Sequence, residues 1–288
     1  MEINLNKLPI FDSHAHFDDL KFADDLDLIV AKMKENGVVG VINNGVNYES
    51  SAKIVELSKQ YDIFYSAVGV HPEDLYEGEK FSPEKVLPFV KDSKTVAIGE
   101  IGLDYYWDSH PAEVQKQWFE AQLDFAKEVD LPVIVHDREA HNDTLEILKK
   151  HKPKGVLHCY SGSNEMAKEI LKLGMYIGVG GVVTFKNARK VVEVVADLPL
   201  DRLLLETDAP YLAPEPFRGK RNTSDLICFT AGRIAEIKGI TTEEVLNASI
   251  ENIKMLYRKI RRVKNDFIRL NYNENVGRKK SYNYTHRT

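Results

Sequence analysis

Pro132-Val133-Ile134-Val135-His136 is a short apolar run that stops on a histidine. Gly155-Val156-Leu157-His158 repeats the form. Val96-Ala97-Ile98-Gly99-Glu100 ends on a carboxylate, and Leu203-Leu204-Leu205-Glu206-Thr207-Asp208 closes on acids. Runs without polar alternation suit strands buried on both faces, as parallel sheets require. Working outward, comparable runs cover residues 9–14, 38–45, 63–71 and 175–183, and the quoted ones lie in 95–103, 132–136, 155–158 and 202–208. Amphipathic stretches separate them. Leu26, Ile29, Val30 and Met33 recur at helical spacing, and Trp118, Gln122, Phe125 and Val129 do so less cleanly. Ile147 and Leu148 end another stretch, and Ala167, Ile170 and Leu171 lead to a glycine stop at Gly174.

Eight strands alternating with helices predict an α/β fold, either a barrel or a doubly wound sheet. The polar residues decide between them, because they fall at the ends of the first, third, fourth, fifth, sixth and eighth runs. A doubly wound sheet gathers ligands at one switch point. A (β/α)8 TIM barrel brings every strand end to one mouth, so a site drawn from so many strands predicts the barrel, with its site at the C-terminal mouth. The length of 288 residues suits one such domain, which typically takes about 250. Residues 1–260 read as the barrel and 261–288 as a basic extension.

That extension carries eight Lys or Arg against two Asp or Glu, while the whole chain has a net charge of −5. A solvated tail and an arm that tracks nucleic-acid phosphates both fit it. Hydrophobic residues at 43% and charged residues at 29% predict a soluble globule. No apolar run approaches the roughly 20 residues that span a bilayer, so no membrane partner is expected. The first residues do not read as a secretory signal. Cys159 and Cys228 are too few for a disulfide framework, and a reduced, cytoplasmic protein is expected.

His14 and His16 close the first run two residues apart, so strand alternation sends both the same way. Two neutral imidazoles at that spacing can grip a divalent cation. Any one polar residue at a strand end reads equally as a satisfied cap. Six of them would crowd unpaired polar groups at one mouth unless something held them. His14, His16, Glu100 and Asp208 are therefore expected to hold one ion, and Glu100, His136 and His158 another, with Glu100 bridging. Mixed nitrogen and oxygen ligation suits zinc or manganese better than magnesium.

Several motifs then recur in order. They are Ile10-Phe11-Asp12-Ser13-His14-Ala15-His16-Phe17-Asp18, Glu100-Ile101-Gly102-Leu103-Asp104-Tyr105, Pro132-Val133-Ile134-Val135-His136-Asp137-Arg138-Glu139-Ala140, His158-Cys159-Tyr160-Ser161-Gly162, Leu204-Leu205-Glu206-Thr207-Asp208-Ala209-Pro210-Tyr211-Leu212 and Arg218-Gly219-Lys220-Arg221-Asn222. Over roughly residues 9–257 the chain resembles the TatD family of metal-dependent deoxyribonucleases. It departs at Asn142, where the family commonly has an acid, and at Thr223-Ser224, where Glu-Pro is common. The resemblance implies a barrel, two divalent metal ions (Zn, Mn or Mg) and hydrolysis, often of DNA ends from the 3′ side.

Two cations about 3.5–4 Å apart can clamp a phosphodiester and bring the pKa of an attacking water towards roughly 7. Asp208 is expected to take that water's proton, with Glu100 fixing the pair. Arg218, Lys220 and Arg221 follow the eighth run, where barrels often bind phosphate; a solvated basic loop fits them equally. Arg138 can pair with phosphate or a nearby acid. His71 can meet the leaving group or mark a turn before Pro72. Tyr105, Tyr106 and Trp107 can stack on a splayed base or pack their own loop. Glu206 is expected to orient a ligand from behind. A barrel hydrolase of esters, lactones or amides, aminoacyl-tRNA esters included, uses the same ligands; a non-catalytic nucleic-acid-binding scaffold would not need all six.

Overall fold

In the computed structural model, residues 8–107 and 109–260 are described, and the basic extension lies outside them. Each apolar run becomes a strand: β1 (Ile10–Ala15), β2 (Val38–Asn44), β3 (Phe64–Val68), β4 (Thr95–Asp104), β5 (Val133–Arg138), β6 (Gly155–Leu157), β7 (Tyr176–Val179) and β8 (Leu203–Leu205). They pair in parallel and in chain order, forming a (β/α)8 barrel. The helices between them are α1 (Leu26–Glu35), α2 (Tyr48–Gln60), α3 (Pro83–Val90), α4 (Ala112–Glu128), α5 (His141–His151), α6 (Asn164–Lys172) and α7 (Arg189–Asp197). Two more, α8 (Ile227–Lys238) and α9 (Thr242–Leu256), follow β8. No helix among the described residues is long and apolar enough to cross a membrane.

The ring closes beyond the end of β8 rather than along it. Ala15 bridges Ala209, the His16 N–H donates to the Ala209 carbonyl at 2.7 Å, and the Asp208 N–H donates to the His14 carbonyl at 3.0 Å. The segment that closes the barrel is thus the segment that carries the acids. Asp12 locks it. Its buried carboxylate accepts the N–H groups of His14 (3.1 Å) and Thr207 (3.0 Å) and the hydroxyls of Thr207 (2.5 Å) and Ser224 (2.7 Å). Burial pushes this carboxyl up to about 6 even against those four donors.

The core has two parts. The larger packs the helices on the outside of the strands. The smaller takes Phe11, Ile42, Tyr65, Ile134, Val156, Tyr176 and Leu204 from different strands, which can meet only inside the ring. Ile250, Ile253 and Leu256 of α9 join this inner cluster and stop the barrel at the end away from the acids. Gly40 makes room for the inner layer, since a Cβ there would stand 2.2 Å from the Phe11 ring.

Three strands fall well short of their apolar runs. β3 stops at Val68, β7 stops where Gly181–Thr184 turns into a 3-10 helix, and β8 stops at Leu205. Strand alternation therefore does not relate Glu206 to Asp208, whose φ of +60° lies in the left-handed region.

Candidate metal centre

Glu100 sits in the middle of β4, buried, and its two oxygens face two different groups. Oε2 lies 3.3 Å from His14 Nε2 and 3.4 Å from His16 Nε2. Asp208 Oδ1 completes that group at 3.6 and 3.4 Å from the same nitrogens, which are 3.1 Å from each other. Oε1 lies 3.0 Å from His136 Nδ1 and 2.7 Å from His158 Nε2, with 3.2 Å between those nitrogens. The His14 and His158 rings stack at 3.9 Å between the groups. Ligand atoms about 2.1 Å from a shared tetrahedral ion stand about 3.4 Å apart, close to most of these separations.

Which ring nitrogen faces inward is set from outside. His16 Nδ1 donates to the Asn44 carbonyl at 2.9 Å, so in the neutral ring its Nε2 presents a lone pair. His136 Nε2 donates to Asp104 Oδ2 at 2.9 Å, so its Nδ1 does the same. His71 is arranged the other way. Its Nδ1 accepts the Glu73 N–H at 3.2 Å, leaving a proton on Nε2, 3.6 Å from Glu100 Oε1. A protonated nitrogen cannot ligate, so within the His71, Glu100 and His136 group His71 is a donor and not a metal ligand. Nδ1 of His14 and of His158 is buried without a hydrogen-bond partner among the described residues. Lone pairs facing one another beside carboxylate oxygens fit a cation.

In the metal-free protein the carboxylates draw protons to these same nitrogens, and a cation would take the protons' place. Burial lowers every imidazole here and prevails at His14, pushed down to about 4, and at His71, pushed down to about 3. At His16 burial is outweighed by the Asp208 hydrogen bond and the Glu100 charge, which raise it to about 9. Asp104 and Glu100 likewise raise His136 to about 10. Burial would lift the Glu100 and Asp208 carboxyls, but the surrounding histidines hold Asp208 below its ordinary value and Glu100 well below. Both carboxylates are ionised at neutral pH.

The remaining candidates spread out. Glu206 accepts the Cys159 N–H and has Oε1 4.0 Å from His158 Nδ1, so it stands behind His158. Burial pushes its carboxyl up to about 8. Gly178 gives it room, because a Cβ there would stand 2.3 Å from Glu206 Oε2. The basic loop after β8 does not converge as expected. Arg221 makes two bonds of 2.9 and 2.6 Å to Asp25. Arg218 lies 4.3 Å over the Phe185 ring, and Lys220 5.9 Å from the Phe217 ring. Arg138 lies 4.0 Å over the Tyr106 ring. Tyr105 donates its hydroxyl to Asp143 at 2.8 Å and packs its loop.

Sequence reasoning passed over Asp12, Asp104 and Asn222. Asn222 is fully buried and donates to the Thr207 (3.0 Å) and Tyr211 (2.7 Å) carbonyls, shaping the loop after Asp208. Asp104 was open to detection, since it stands four residues after Glu100 on one strand. Asp104→Ala removes the acceptor that fixes the His136 tautomer. Metal affinity or turnover is expected to fall roughly 10- to 100-fold, measured by metal titration and by rate, with some loss of melting temperature in the metal-free protein as the Tyr106 and Trp107 N–H groups lose their acceptor.

The sequence profile of the family described as TatD related DNase matches residues 11–258. The chain belongs to the TatD family. Among its TatD relatives, the Bacillus subtilis protein called uncharacterized metal-dependent hydrolase YabD is 41% identical over 256 residues, covering 86% of this chain and 99% of that one. The Escherichia coli protein called uncharacterized metal-dependent hydrolase YcfH is 35% identical over 86% of this chain and 95% of its own. The crystal structure of the Escherichia coli TatD homolog YjjV superposes with a TM-score of 0.80 at 33% identity, covering 86% of this chain and 98% of that one.

Proposed function

We propose that this TatD protein is a metal-dependent hydrolase that cleaves phosphodiesters of DNA, working on single strands from the 3′ end. The observation that carries the metal chemistry is the division of Glu100, one oxygen toward His14, His16 and Asp208 and the other toward His136 and His158. A carboxylate shared in this way holds two cations side by side. His14, His16, Glu100 and Asp208 would hold one, and Glu100, His136 and His158 the other. Such a pair supplies Lewis acidity to a phosphoryl oxygen and acidifies an attacking water.

The protein's own groups do the rest. Asp208 is the carboxylate that water can reach, with 21% of its side chain exposed against 4% for Glu100, and it takes the proton of the attacking water. His71 presents Nε2–H to the same space and donates to the substrate's leaving oxygen. Glu206 holds the Cys159 backbone and, through the turn it fixes, the neighbouring His158. The DNA assignment rests on the family description together with the cationic and aromatic groups on the rim.

The test is degradation of 3′- and 5′-labelled single-stranded DNA with Mg, Mn or Zn, with Glu100→Ala as control. Stepwise loss from the 3′ label, abolished by chelator and in the variant, is expected. A wild type shown by metal analysis to be loaded, yet inert on DNA in every cation, defeats the nuclease reading; carboxylic esters, lactones, amides and aminoacyl-tRNA are then the substrates to assay.

A further inference from the structure

We infer that Tyr106, Trp107 and Arg138 form a platform that stacks a nucleobase next to the scissile phosphodiester. The inference rests on the nuclease reading and specifies how that site takes its substrate. Of the two tryptophans in the chain, Trp118 is buried at 2% exposure, as an aromatic in a core should be. Trp107 is 49% exposed and its neighbour Tyr106 is 55% exposed. Large apolar rings left in water beside one another on a barrel mouth lower the free energy only when something covers them.

The backbone of this pair is held to the centre through one residue. Asp104 Oδ1 accepts the N–H groups of Tyr106 (2.9 Å) and Trp107 (3.1 Å), while its Oδ2 accepts His136 Nε2 (2.9 Å). The rings therefore begin one carboxylate away from a nitrogen that faces Glu100. Arg138 is added from β5, two residues beyond His136. Its guanidinium lies 4.0 Å over the Tyr106 ring and 5.5 Å from that of Trp107. No carboxylate among the described residues forms an ion pair with it.

Two edge-to-face rings under a planar cation suit one chemistry above others. Tyr106 and Trp107 meet at 90° with centroids 4.9 Å apart, so an inserted flat group can stack on one ring and meet the edge of the other. Arg138 keeps hydrogen-bond donors for a phosphate or a base edge while its face lies on Tyr106. A base has a π-face and brings a phosphate with it; a small carboxylic ester or lactone has neither. Stacking of this kind tolerates any sequence, because every base has the same kind of face.

The experiment uses intrinsic fluorescence and kinetics on the full chain. Trp107 is the exposed emitter, so oligo-dT is expected to quench the emission of metal-free protein, while an abasic deoxyribose-phosphate oligomer of equal length is expected not to. Trp107→Phe should abolish the quench. In metal-loaded protein, Tyr106→Ala and Trp107→Ala are expected to raise KM for oligo-dT roughly tenfold or more, with kcat changed little. Equal quenching by the base-bearing and abasic oligomers, no quenching by either, or an unchanged KM in both alanine variants would overturn the platform. If wild type cleaves oligo-dT while those results appear, the platform falls and the nuclease reading stands. If wild type cleaves no oligomer, the nuclease reading falls, and base-dependent quenching alone then decides for or against the platform.

Discussion

With Glu100 bridging two ions as proposed, Glu100→Gln is expected to lower turnover by roughly a thousandfold and to reduce bound metal from two ions per chain to one. Glutamine keeps the volume of the side chain and one oxygen. Its other terminal atom is an NH2 group, which offers donors and no lone pair. Only one of the two ligand groups can then be served. The His14, His16 and Asp208 group retains a carboxylate of its own, 3.4–3.6 Å from both ring nitrogens. The His136 and His158 group is left with two ring nitrogens and no carboxylate oxygen of Glu100. The ion proposed beside His136 is the one expected to leave, and with it half of the proposed clamp on the substrate. Metal analysis of the purified variant, beside a single-turnover rate, checks both halves. Two ions and an undiminished rate would show that Glu100 bridges nothing.

The strands of this barrel were legible because burial on both faces removes polar alternation, leaving bare apolar runs that stand out. Their ends were legible too, since a histidine or acid after such a run has no reason to be apolar-adjacent except position. The lengths of β7 and β8 were not. Gly181–Thr184 winds into a 3-10 turn and Asp208 takes a left-handed backbone, and both depend on contacts with distant chain, such as Asp208 N–H to the His14 carbonyl. Several helices were hidden for a related reason. α2 buries Ser51 and Ser58, and α9 buries Ser249 and Asn252, so the inward face does not read as an apolar stripe. In α9 those polar groups are satisfied by distant chain: Asn252 donates to the carbonyls of Leu200 and Leu203, and Ser249 accepts from Leu205.

The same divide runs through the centre. Residue type and strand-end position are local, and they pointed to Glu100 and the five side chains that the structure brings around it. Tautomer and charge are not local. His16 depends on a carbonyl 28 residues away, and His136 on a carboxylate 32 residues away. Asp12 shows how far type alone can mislead. It sits two residues before His14, carries an acid, and spends all of its lone pairs on the backbone and hydroxyls that close the barrel. In the basic loop, Arg221 meets an aspartate of the chain itself, a pairing that residue type does not reveal.

Asp208→Asn is expected to reduce kcat by roughly 100- to 10,000-fold, the range that a positioned general base contributes, while KM changes little. The substitution is a narrow one. Asparagine accepts the left-handed backbone at φ +60° as readily as aspartate does, so the closing segment keeps its path. The amide oxygen can still face His14 and His16, so the variant retains part of the ligand set. What it loses is the negative charge and the capacity to accept a proton. In wild type, burial pushes the Asp208 carboxyl up, but the His16 hydrogen bond and the nearby imidazoles leave it below its ordinary value. The base is thus already ionised through mild acid, and lowering the pH from 7 towards 5 should not disarm it. The comparison that matters is therefore made at one pH, with metal content measured in the same samples. A variant that binds metal normally and turns over at the wild-type rate would remove Asp208 from proton transfer and leave it a ligand alone. A variant that loses both ions would mean that its charge is needed to hold the pair, and rate measured after metal saturation would then separate holding from proton transfer.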